Sequence, residues 1–171
     1  MPFARFRLPR RRPSLRLQSP DHEWFMFHPD PDQPLVVAGF GEAASLAAMV
    51  MDLPVRNEML VLLDERRVVT AMLLDPPPEL GLFVGMAQVP GLETPFCQTL
   101  DIVIRDRVET GPPSADDRRG YQALRRAHMA QGLLLLDVVV TDGDMMRSLA
   151  IGCDPDPVWF DEWDPDTLDA A

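Results

Sequence analysis

The stretch EMLVLLDERRVVTAMLLD, residues 58–75, constrains this fold more than any other part of the chain. Two apolar runs flank the polar insert Asp64, Glu65, Arg66 and Arg67. Apolar runs of strand length around a short polar insert form a β-hairpin. The prolines at 76–78 end the second strand, because proline has no N–H to give to a ladder. A hairpin with two such apolar strands needs further layers to cover it.

The rest of the chain offers those layers. LVVAGF at 35–40 is expected to be a strand. Residues 41–51, rich in Ala, Leu and Met with Glu42 near the start, are expected to be a helix. LGLFVGMAQV at 80–89 is another expected strand, followed by a loop or short helix at 91–99. LDIVIRDRV at 100–108 alternates apolar and polar residues, which means one buried and one exposed face. Residues 115–131 have helical spacing, with Arg118, Arg119, Arg125 and Arg126 on one side and Tyr121, Leu124 and Ala127 on the other. Gly132 stands where a left-handed cap is expected. LLLLDVVV at 133–140 reads as a strand buried on both faces, and MMRSLAIG as an edge strand. Hairpin, strand, helix and buried strand together indicate a layered α/β domain.

The junction PSADD at 113–117 has a complete local explanation. Ser114 can cap the first helical turn while Asp117 reaches back, which is a capping box with Asp in place of Glu or Gln. Asp116 and Asp117 also suit the positive end of the helix dipole.

Charge is unevenly distributed. Residues 1–16 carry six Arg and no acid, while residues 154–171 carry seven acids and no base. The net charge of −11 argues against generic nucleic-acid binding, which needs a basic surface. Cys97 and Cys153 have no C-x-x-C spacing and read as buried free thiols. No apolar run approaches the ~18 residues that span a bilayer. The expected organisation is a basic, Pro-rich arm and linker over 1–34, mostly disordered, a domain over 35–152, and an acidic aromatic tail over 153–171. The expected location is the cytoplasm.

The segment from Pro113 to Ser148 resembles the RadC-like branch of the JAB/MPN metallopeptidase family. Pro113, Ser114 and Asp117 match its Pro-Ser-x-x-Asp element, Leu135, Leu136 and Asp137 match a Leu-Leu-Asp strand, and Ser148 matches a later Ser. The hairpin region is similar to the family's first hairpin, with Glu58 at the position of its general base. The resemblance covers roughly residues 55–150. It implies a three-layer α/β domain related to cytidine deaminases, with a central mixed sheet between helices. It also implies a zinc site built from a His-x-His-Pro motif and the Asp, working on peptide or isopeptide bonds.

The chain departs from the family at the metal. No His-x-His occurs, and the ligand positions hold Arg105 and Arg107. A guanidinium is always protonated and has no lone pair for zinc. His22 and His28 fall in the linker, and His128 is expected on the surface or boundary of its helix. The resemblance therefore implies a non-catalytic binding or scaffold module without a metal, in which Glu58, Ser114 and Asp117 are remnants. A second reading is a divergent metal-dependent hydrolase, with Glu58, Asp106, Glu109 and Asp117 around Mg²⁺ or zinc. A third is a nucleic-acid accessory protein acting through the Arg-rich arm. Arg105 and Arg107 are candidates for an anionic group, against the plainer expectation that they are solvated or pair with Asp106, Glu109 or the tail. Trp159, Phe160 and Trp163 either dock on a protein partner or pack back on their own domain. Self-association is left open.

Overall fold

The computed structural model describes residues 15–19, 22–76 and 96–160. The expected strand at 80–89 lies outside them, as do most of the arm and Trp163. The described elements are β1 (Leu15–Ser19), β2 (His22–Phe27), α1 (Phe40–Val50), β3 (Glu58–Leu63), β4 (Val69–Leu74), β5 (Gln98–Ile104), α2 (Ala115–Ala130), β6 (Leu134–Thr141), β7 (Met146–Ser148) and α3 (Leu149–Cys153). A single 3₁₀ turn, Val158–Phe160, follows.

The strands form one sheet in the order β1-β2-β4-β3-β5-β6-β7. Only β5 and β6 run parallel, joined by α2 as a crossover, and the other neighbours are antiparallel. The hairpin forms as its pattern predicts, with Arg67 adopting a left-handed φ of 58° at the turn. Alternation then assigns the two faces. Met59, Val61 and Leu63 of β3, Leu100 and Ile102 of β5 and Leu136 and Val139 of β6 pack with Ala43, Leu46, Ala47 and Val50 of α1. On the opposite face, Leu135, Val138 and Val140 pack with Tyr121 of α2 and Leu149 and Ala150 of α3. The result is three layers: helix, mixed sheet, helices. Among the described residues no helix is long and apolar enough to cross a membrane.

Several sequence expectations need correcting. Residues 22–27 are not linker but strand β2, paired with β4 through Phe25, Met26 and Phe27. Trp24 and Met26 are buried against Leu60, Leu62 and Leu73, so the gain comes from partners more than 30 residues away in sequence. Residues 35–40 make only one bridge, between Val36 and Val68, because Gly39 leads the chain into α1. The expected edge strand at 145–152 stops at Ser148, whose Oγ accepts from Ile151 N at 2.9 Å and starts α3. His28 is not a solvated linker residue, since its Nδ1 lies 3.0 Å from Thr70 O. His128 is fully buried, with Nδ1 at 2.8 Å from Leu124 O, and burial lowers its pKa. Both cysteines are free and half-buried rather than fully buried.

Candidate functional site

The loop from β5 to α2 carries the site. Arg105 continues the β5 ladder, donating its N–H to Thr141 O at 2.9 Å. The loop is then held to the β6–β7 turn by Asp142. That carboxylate accepts from Val108 N at 2.8 Å and also from the N–H groups of Asp144 and Met145. The Val108 bond, with the others, holds the Asp142 carboxyl below its ordinary range. Arg118 donates through Nε and Nη2 to Pro113 O, which fixes the last residues before the helix.

At the helix start the capping box is complete. Asp117 N donates to Ser114 Oγ at 3.1 Å, Ser114 N donates to Asp117 Oδ2 at 3.1 Å, and Ser114 Oγ donates to the same oxygen at 2.9 Å. The other carboxylate oxygen, Oδ1, meets Arg105 Nη1 at 2.9 Å. Partial desolvation pushes the Asp117 carboxyl up, but the Ser114 bond and the Arg105 bond and charge outweigh it and hold it below its ordinary range. Among the described residues, Arg105 is therefore neither merely solvated nor paired with Asp106 or Glu109. It binds the carboxylate twelve residues on. Asp106, Arg107 and Glu109 are exposed.

Glu58 lies at the same end of the sheet, opposite Val103 in the β3–β5 register. Its partner is a residue the sequence reading passed over. Asp101 faces Leu60, so Glu58 and Asp101 are diagonal neighbours on the α2 side of the sheet. Asp101 is only 6% exposed. Burial raises its pKa well above the ordinary value, and the charge of Glu58 and a hydrogen bond with the Glu58 side chain raise it further. Two carboxyls can share a hydrogen bond only when one holds a proton. Glu58 is thus engaged with Asp101, while Asp117 is engaged with Arg105 and Ser114.

These residues do not make a zinc donor set. Arg105 offers no lone pair, and both oxygens of Asp117 already accept hydrogen bonds. Among the described residues, no three of His, Cys, Asp and Glu converge as metal ligands, so Glu58, Asp106, Glu109 and Asp117 are not brought together.

A second carboxylate is Asp137, the Asp of the Leu-Leu-Asp strand read from the sequence, which is fully buried in β6. The β5–β6 register slips there: Thr99 faces Leu135 while Leu100 faces Asp137. Asp137 Oδ1 accepts from Ala150 N at 2.9 Å, and Oδ2 accepts from Trp159 Nε1 at 2.7 Å. Burial raises its pKa against the opposing bonds from Ser148, Trp159 and Ala150. Trp159 also stacks under Arg67, whose guanidinium carbon lies 5.8 Å from the ring centre. The first turn of the tail therefore packs on its own domain, and Trp159 is not a free docking residue. The side chain of Phe160 lies outside the described residues. One sequence signal did mark Asp137, a carboxylate inside the otherwise apolar run LLLLDVVV at 133–140.

No known protein-family profile, no curated protein and no solved structure matches the chain.

Proposed function

We propose that this chain is a JAB/MPN-like domain of the RadC-like kind, related in fold to the cytidine deaminases, that works as a binding or scaffold module. The observation that carries the reading is the Arg105–Asp117 pair at 2.9 Å. In the family that the sequence resembles, the Asp at this helix start serves a metal. Here a fixed guanidinium supplies the positive charge instead, and it cannot polarise a carbonyl or activate water as a metal does. The mixed sheet with a helix layer on each face is compatible with that family's architecture.

The capping box supports the same reading, since it gives Ser114 and Asp117 a structural role that needs no metal. Glu58 lies diagonally beside Asp101 on the sheet and helps hold that carboxyl above its ordinary range. The hydrolase reading with carboxylate ligands has no comparable observation behind it. The test is metal analysis of the full chain purified without chelator. Zinc well below one equivalent is expected, and one tightly held zinc per chain would end the proposal.

A further inference from the structure

We propose that a groove beside β7 is a docking site for an extended acidic peptide of a partner protein. The groove encloses about 450 Å³ between the loop before α2, strand β7 and helix α3, and its walls include Pro112, Pro113, Met146, Arg147, Ile151 and Gly152. Most of this lining is apolar, and Met146 and Ile151 are 36% and 43% exposed. β7 is the last strand in the sheet order, so among the described residues its outer edge has no strand partner. An extended peptide joins such an edge by main-chain hydrogen bonds and sets alternate side chains into adjoining pockets.

Arg147 decides the chemistry of that peptide. It pairs with Val140 across the ladder and is the one charged residue among the described residues that line the groove. A guanidinium is best satisfied by a carboxylate. The groove is thus locally positive on a chain of net charge −11, which selects an acidic occupant over a basic one. Apolar residues flanking the acid would rest on Met146 and Ile151.

This inference rests on the binding-module reading for its biological meaning, yet the two fail separately. Metal content tests Arg105 and Asp117, whereas peptide binding tests a different face of the loop. The probe is a fluorescein-labelled peptide alternating Leu and Asp, titrated with the full chain and followed by fluorescence anisotropy. Saturable binding is expected, weakened about tenfold or more by Arg147→Gln and by replacing the peptide's Asp with Asn. Met146→Asp should weaken it as well, by placing a like charge at the edge. Thermal melts establish that each variant folds, and the Asn peptide on the unaltered chain decides the matter if Arg147→Gln does not. Absence of saturable binding overturns the proposal, as does equal affinity for the Asp and Asn peptides.

Discussion

Arg105 and Asp117 show how a guanidinium holds a carboxylate at a helix start. A carboxylate at a helix start needs a positive neighbour, and a guanidinium satisfies that need with fixed donors. Because Arg105 is 46% exposed, the pair contributes only about 0.2–1 kcal/mol to stability. Asp101 carries a sharper energetic consequence. Its raised pKa means that the folded state holds a proton the unfolded chain releases. The associated stability is fully present below the ordinary carboxyl range and is lost as pH rises through the folded-state value. Asp101→Asn should therefore melt higher than the unaltered chain at pH 7, with the gap closing near pH 3.5. A gap that stays constant between those pH values would contradict the burial, with Glu58 beside it, that raises the Asp101 carboxyl. None of this pairing was legible in the sequence. Alternation in 100–108 assigns Asp101 to an exposed face, but α2 and its neighbours cover that face. The Arg105–Asp117 contact depends on how the intervening loop folds back, which no local pattern encodes.

At the scale of elements, the sequence was readable wherever one face had a single environment. The hairpin, α2 with its arginine side and the doubly buried β6 all follow their patterns, and Gly132 takes the expected left-handed φ of 71°. β2 was missed because HEWFMF sits between proline-containing segments and is stabilised by distant partners in β4. α3 was missed because it is five residues long and depends on the Ser148 cap. Its seat is tight. A Cβ added at Gly152 would lie 2.5 Å from Pro113 Cγ and 2.9 Å from Cδ, and a proline ring cannot swing aside. Gly152→Ala should then cost about 1–3 kcal/mol as overpacking, measured by chemical denaturation. A neutral result would mean that α3 and the loop before α2 are not packed as described.

Across the whole molecule, the two helix layers divide the work. α1 covers one face with Ala43, Leu46, Ala47 and Val50, and the buried Asp137 ties α3 and Trp159 to the sheet from within. The other face carries α2, the Glu58–Asp101 pair and the Arg105–Asp117 pair at one end. The central claim is that a guanidinium stands at Asp117 where the resembled family places a metal. Arg105→His/Arg107→His restores the missing His-x-His while leaving Asp117 and Ser114 in place. Zinc per chain after equilibrium dialysis of this variant, beside the unaltered protein, tests the claim most directly. The account predicts substantial zinc in the variant and little in the unaltered chain; one equivalent retained by the unaltered chain, or no gain in a folded variant, would contradict it.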